Sequence, residues 1–235
     1  MLGSVHSYES FGAADGPGVR FIVFLYGCNF RCVYCHNPDT WAEACEVTRL
    51  AGGEGAAPLA TREETSAEEV LAKALRYRSY WGAEGGITVS GGEPMLQAEF
   101  VAELFELAHE AGVNTCLDTA AGPFRRDSAA IRRLLAATDT VLLDLKAMDP
   151  ELHRKVTGAD NANVFDCARY LAEKGIPTWI RHVNVPGLTD TPEEISALEA
   201  FVATLPNVVK TEYLPYHTYG VEKWHQLGLP YPLDA

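Results

Sequence analysis

Short β-rich runs alternate with longer helical stretches along this chain, and that alternation restricts the fold more than any other feature. Residues 20–26, 86–90, 114–118, 141–145, 178–185 and 209–214 are rich in Val, Ile, Leu and Phe, as strands buried on both faces are. Between them, residues 66–80, 97–111, 128–137, 163–174 and 192–205 carry apolar residues at helical spacing. Ser66 stands three residues before Glu69, a capping-box pattern, and Thr191-Pro192 places a proline in a first turn. Gly112 and Gly175 follow their helices as stops. Such alternation gives a parallel sheet with right-handed crossovers. Six units, rather than the eight of a closed barrel, predict a single α/β domain over residues 1–235. Its expected form is a partial (βα)6 TIM-like barrel with an open site at the C-terminal strand ends. Two stretches break the rhythm. Residues 45–64, with Gly52-Gly53 and Gly55-Ala56-Ala57-Pro58, are expected to be an inserted loop. Residues 216–235 are rich in Pro and Gly and show no convincing helix. The last unit is therefore expected to lack its helix or carry a shortened one, leaving one sheet face partly uncovered.

Composition removes several function classes. The formal net charge of −13 is opposite to the basic footprint that nucleic acid requires. The apolar run 21–26 is far too short to span a bilayer. Residues 1–10 contain His6 and Glu9 but no basic start followed by an apolar run, so no secretory signal is expected. A cytoplasmic, monomeric protein with neither membrane nor nucleic-acid partner is the expectation.

The six cysteines are not spaced as a disulfide framework. Cys28, Cys32 and Cys35 form a C-x3-C-x2-C run directly after the first apolar strand. Cys45, Cys116 and Cys167 are scattered, as small buried residues are. Close thiolates suit an iron–sulfur cluster. Three ligands on a four-iron cluster would leave one iron open for chemistry. A structural zinc is the alternative, but it needs a fourth ligand. His36 would have to serve, and its position next to Cys35 makes joint coordination awkward. Other polar residues fall at the predicted strand ends: Gly91-Gly92-Glu93, Asp118-Thr119, Asp144-Leu145-Lys146 and His217. Each alone could be a simple turn, a strand-end ion pair or a packing histidine.

The C-x3-C-x2-C loop, with Tyr34 before its last Cys, resembles the radical S-adenosylmethionine (SAM) enzymes. Gly16-Pro17-Gly18-Val19-Arg20, Phe24, Gly27-Cys28 and His36-Asn37 resemble the N-terminal motif of glycyl-radical-enzyme activating enzymes. Six further stretches resemble the pyruvate formate-lyase activases among them. These are His6-Ser7-Tyr8-Glu9-Ser10, His36-Asn37-Pro38-Asp39-Thr40-Trp41, Cys116-Leu117-Asp118-Thr119, Leu143-Asp144-Leu145-Lys146, Trp179-Ile180-Arg181 and Leu214-Pro215-Tyr216-His217.

That resemblance implies a 4Fe–4S cluster on Cys28, Cys32 and Cys35, with the methionyl end of SAM on the open iron. It implies reductive SAM cleavage and abstraction of a glycine Cα hydrogen. Gly91, Gly92 and Glu93 would lie by the methionyl amine, and Lys146 by its carboxylate. Asp118, Thr119 and Asp144 would hold a monovalent cation. Tyr34, Cys35 and His36 would lie beside the adenine, with His217 at the ribose or adenine, and Leu145 and Val183 among the cofactor contacts. Asp15 and Arg181 would meet the substrate glycine loop. The implied partners are pyruvate formate-lyase as protein substrate and flavodoxin or ferredoxin as electron donor. Activases of other glycyl radical enzymes often carry additional cysteine clusters, for which this chain has too few cysteines. The family also usually continues past Leu233-Asp234 into a final helix and short strand.

Overall fold

The computed structural model describes residues 1–41 and 62–234. The expected loop at 45–64 lies outside the described residues except for its last three, and Cys45 lies outside them too. The described chain contains strands β1 (Leu2–Gly12), β2 (Arg20–Leu25) and β3 (Glu63–Ser66), then helix α1 (Ala67–Leu75) and β4 (Gly86–Gly91). It continues through α2 (Ala98–Glu110), β5 (Asn114–Thr119), α3 (Ala129–Ala136) and β6 (Thr140–Asp144). It ends with α4 (Pro150–Thr157), α5 (Ala162–Lys174), β7 (Thr178–Asn184), α6 (Pro192–Val202), β8 (Val208–Pro215) and α7 (Val221–Gln226).

One eight-stranded sheet runs in the order β3-β1-β2-β4-β5-β6-β7-β8. From β2 to β8 every pairing is parallel, so the six expected strands form the partial barrel. β3 and β8 are its two edges, and the sheet does not close. The helix signals act as their chemistry dictates. Ser66 accepts from the Glu69 N–H while the Glu69 carboxylate accepts from the Ser66 N–H. Thr191 caps α6, with Pro192 at its first position. Helix α2 packs Phe100, Leu104 and Phe105 into the core with at most 1% exposure. Each such side chain contributes about 1.5–3 kcal/mol.

The sequence reading missed four elements. β1 pairs antiparallel with β2, aligning Val5 with Leu25, and with β3, aligning Gly3 with Thr65. Its polar His6, Ser7 and Glu9 hide the strand pattern. β3 occupies the end of the stretch expected to be loop. Helix α4 is short and polar, yet begins at the Asp149 cap with Pro150 in its first turn. Residues 216–235, expected to lack a helix or carry a shortened one, hold the six-residue α7. That helix does not cover β8, whose Val209 stays 63% exposed; instead Trp224, Leu227 and Tyr231 pack on Trp41, next to Cys28 and Cys35.

Arg20 is fully buried at the N-terminal end of β2, where its guanidinium donates to carbonyls of Pro17, Glu84, Ile87 and Asn114, to Asn114 Oδ1 and to Thr88 Oγ1. A buried guanidinium is tolerable only when its donors are met in this way. The motif arginine thus plugs the barrel floor and ties the loop after β1 to β4 and β5. No helix among the described residues is long and apolar enough to cross a membrane.

Candidate active site

The C-terminal strand ends surround a cavity of about 480 Å³. Cys28, Cys32 and Cys35 line one side; Gly91, Gly92, Asp118, Asp144, Lys146, Arg181 and Val183 line the floor and far wall, with His217 at the rim. Asp15 reaches the same cavity from the loop after β1. Another hollow of about 500 Å³, between Met1, Leu2, Phe100 and Ile131, contains none of these residues.

The cysteine loop leaves β2 through Gly27, whose N–H donates to Thr40 O at 2.8 Å. Arg31 N–H donates to Thr157 O and Val33 N–H to Val156 O, so the C-terminal turn of α4 holds the loop from below. Arg31 Nη1 also donates to the carbonyls of Cys28 and Phe30. None of the three thiols is in a disulfide. Burial pushes the Cys28 and Cys32 thiols up to about 12 and Cys35 up to about 11. Bare thiols so placed stay protonated, and a bound metal centre is what would stabilise their thiolates. Among the described residues, no three His, Cys, Asp or Glu side chains converge on a single metal ion. The three cysteines line one side of the cavity.

Gly91 has φ +117, and a Cβ there would lie 2.2 Å from Leu25 N. A Cβ on Gly92 would lie 2.0 Å from Gly27 O. The glycine pair thus lets β4 end flush against the start of the cysteine loop, sealed by Gly92 N–H to Leu25 O and Glu93 N–H to Gly27 O. Glu93 departs from the expected ammonium contact. It is 1% exposed and turned away from the cavity. Its carboxylate accepts from Thr119 Oγ1 at 2.6 Å and from the N–H groups of Met95 and Ala120 at 3.0 Å. Burial raises its pKa to about 7 against the pull of those three donors. Thr119 lines the cavity, and its hydroxyl is drawn into the same knot, donating to Glu93 and accepting from Ala121 N–H. Leu145 is 1% exposed and does not line the cavity; its N–H donates to Arg181 O and its carbonyl accepts from His182 Nδ1.

The floor is an alternating charge cluster. Lys146 Nζ donates to Asp144 Oδ2 at 2.7 Å. Burial works against the Lys146 charge, but Asp144 and then Tyr34 and Cys32 hold its pKa well above normal. Asp118 accepts from Ser90 Oγ at 2.7 Å and lies 3.5 Å from Arg181 Nη1. Burial pushes Asp118 up to about 6, with Arg181 opposing and Asp144 adding to the rise. Burial likewise raises Asp15, again opposed by Arg181. Arg181 keeps its charge despite burial because Asp118, Asp144, Asp15 and Glu212 surround it. At the rim, the His36 and His217 rings stack with centroids 4.0 Å apart, and Tyr219 lies 4.2 Å beyond. Burial, then the neighbouring His217, depresses His36. His217 Nδ1, Tyr34 Oη and Arg181 Nε are buried without a hydrogen-bond partner, the condition expected of groups awaiting a ligand. Ser90, Glu212, Lys223 and Trp224 belong to this neighbourhood but sit in no motif, so spacing alone could not single them out.

Three thiols, a buried lysine beside carboxylates, a glycine junction and stacked imidazoles around one cavity are a donor set that fits an open-site cluster and a zwitterionic, adenine-bearing ligand. Over residues 22–198 the chain matches the radical SAM superfamily. The chain belongs to that superfamily. It is 49% identical over 238 residues to the pyruvate formate-lyase-activating enzyme of Streptococcus mutans, covering all of this chain and 85% of the relative. It is 47% identical over 239 residues to the enzyme of that name from Listeria monocytogenes, covering all of this chain and 90% of the relative. In fold it is similar to Streptococcus suis SuiB bound to precursor peptide SuiA, with TM-score 0.59, 17% identity, and coverage of 87% and 43% of the two chains. Radical SAM enzymes work with S-adenosylmethionine and a 4Fe–4S cluster, and this radical SAM enzyme offers its cavity at the end of the sheet where those groups would have to meet.

Proposed function

We propose that this radical SAM enzyme activates pyruvate formate-lyase by making a glycyl radical on it. The observation that carries the reading is the shared cavity: the three loop thiols, Lys146 with Asp144, and His217 face one space. The strong likeness to relatives bearing that activity supports the choice of protein substrate. Cys28, Cys32 and Cys35 would hold three irons of the cluster and leave the fourth to the methionyl amine and carboxylate. When bound, cluster and SAM supply one-electron cleavage of the sulfonium and hence the hydrogen-abstracting power that a glycine Cα–H demands.

The chain's own residues bind and orient. Lys146 is a buried point charge suited to the methionyl carboxylate, and its partner Asp144 can turn with Asp118 toward a monovalent cation beside it. His36 and His217 present stacked faces and a free Nδ1 to the nucleoside end. Arg181 and Asp15, which line the cavity, suit the backbone of an incoming glycine loop. The apolar wall formed by Phe24, Phe30 and Val183 keeps water and stray hydrogen donors from the reacting atoms. Flavodoxin or ferredoxin would deliver the electron.

Anaerobic reconstitution, reduction and addition of SAM with pyruvate formate-lyase tests this directly. The expected products are 5′-deoxyadenosine and an electron-paramagnetic-resonance doublet from a glycyl radical. Cleavage without that doublet would remove the partner; a cluster-loaded protein that never cleaves SAM would remove the reading as a whole.

A further inference from the structure

Residues 216–231 do something the cysteine loop cannot do for itself. After β8 the chain turns back across the cavity rim, and α7 lies on the outer side of the loop. Trp224 Nε1 donates to Cys35 O at 2.9 Å. Lys223 Nζ reaches Asn37 Oδ1 at 2.9 Å and Asp39 Oδ1 at 3.1 Å, while His6 Nε2 of β1 meets the other oxygen of Asp39 at 3.0 Å. Asp39, 3% exposed, thereby joins the first strand, the segment after the cysteines and the last helix. Gly220 is the tightest contact. It has ordinary helical backbone, φ −83 and ψ −14, so its conformation does not require glycine. Its surroundings do: a Cβ there would stand 2.7 Å from His36 Cα and 2.8 Å from Cys35 O, backbone atoms that cannot swing aside.

We propose that this C-terminal segment is a positioning strap, in which the Gly220 backbone and the Trp224 indole fix the Cys35–His36 peptide. The strap then sets the seat of the cluster edge and of the backbone beside the adenine. This rests on the reading of the loop as the cluster site. The physical argument is that the Cys35–His36 peptide takes its hydrogen bond from Trp224 and its closest backbone approach from Gly220, while the Cys35 side chain also packs against the barrel core. Cys28 follows β2 through the glycine junction, and the residues around Cys32 are hung on α4. Past Cys35 the contacts come chiefly from the strap, and Trp41, Trp224 and Tyr231 close over Cys28 and Cys35 as one apolar cluster. A protein ligand whose peptide is free to rotate loses its metal more readily, because supporting contacts fix ligand orientation.

Two variants separate the strap from general stability. Gly220→Ala keeps an allowed backbone and would be neutral or mildly stabilising in a strap that touched nothing. Trp224→Phe keeps an aromatic ring in the cluster while removing the N–H donor and part of the indole's bulk. In reconstituted protein under anaerobic conditions, an iron chelator is expected to strip Trp224→Phe roughly three- to tenfold faster than the unmodified chain, the effect of one lost hydrogen bond, and to strip Gly220→Ala faster as well, because its Cβ displaces the same peptide. In the cluster-free chain, iodoacetamide should label Cys35 faster in both, read by peptide mass spectrometry, with buried Cys167 as the folding control. Trp224→Phe carries the test where Gly220→Ala leaves Cys167 exposed. Labelling and iron release at the unmodified rates in a folded Trp224→Phe protein would overturn the strap. A chain that takes up no cluster, while its variants still expose Cys35, would overturn the cluster reading and leave the strap standing.

Discussion

The cysteine loop and the strand-end floor face each other across one cavity but are built in opposite ways. The floor's Asp118, Asp144 and Arg181 sit on β5, β6 and β7, three adjacent parallel strands whose register aligns Asp118 with Leu142 and Asp144 with Arg181. Their geometry is a by-product of the sheet. The loop carries three cysteines within eight residues but little regular structure, and it borrows its shape from Thr40, Thr157, Val156 and the strap. Ligand identity is therefore local in the loop and distributed in the floor, while positional support is distributed for the loop and local for the floor.

The sharpest way to break that comparison is at the thiols. Cys32→Ala is expected to abolish cluster binding, measured as iron and sulfide per chain after anaerobic reconstitution. Cys167, on the buried face of α5, should tolerate the same change with normal iron content. Equal iron loss in both would mean that the scattered cysteines are ligands and that the loop is not a self-contained ligand set.

The floor is tested next. Lys146→Met keeps the aliphatic stem and removes the charge, leaving Asp144 without its 2.7 Å partner. Loss of a charged hydrogen bond of about 1.5–3 kcal/mol predicts SAM affinity lower by roughly ten- to a hundredfold, in a titration of cluster-loaded protein. Iron content should stay normal, because loop and floor are separately supported. Unchanged SAM affinity would show that the floor does not hold the methionyl end.

The same division decides what could be read from the sequence. The six parallel strands were legible because each is a short β-rich run, and strand ends in such a sheet must converge. The grouping of the three loop cysteines at one cavity was legible because their spacing is local. The surroundings of Glu93 were not legible for a physical reason: its sequence position says where its Cα lies, but not that Thr119, Met95 and Ala120 would supply three donors to its carboxylate. β1 and α7 were missed because their polar and Gly- or Pro-flanked sequences carry weak periodicity, and long-range contacts such as Lys223–Asp39 and Trp224–Cys35 stabilise what propensity does not.

Glu93 also links the two regions, since it ties the loop's glycine junction to the end of β5. Its folded pKa of about 7 lies above the usual value of 4.5, with burial the main cause. A carboxyl whose folded pKa is raised contributes stability that is full below about 4.5 and is lost as pH rises through 7. The cluster-free chain should thus lose about 2–3 kcal/mol from this group between pH 5 and 8, with Asp118 adding a loss of the same sign near its own value of about 6. Urea unfolding across that range should give a visibly flatter profile for Glu93→Gln than for the unmodified chain. Parallel profiles would mean that Glu93 stays ionised throughout, with its three donors outweighing burial.

The smallest expected effect lies away from both regions and calibrates them. Ser66 ends β3 and caps α1, with both halves of the capping box made, and none of its contacts reach the cavity. Ser66→Ala should lower the stability of the cluster-free chain by about 1 kcal/mol, read as a shift in urea midpoint without a change in slope. Since among the described residues β3 pairs only with β1, that loss should stay at the sheet edge. But β1 also supplies His6 to the buried Asp39 behind the cysteine loop, so a disturbance carried along β1 would arrive at the loop rather than at the floor. If Ser66→Ala leaves iron retention and SAM affinity untouched, β1 is a rigid buttress. Faster iron loss with unchanged SAM affinity would instead make the first strand part of the loop's support, and would move the boundary between the two regions to the edge of the sheet.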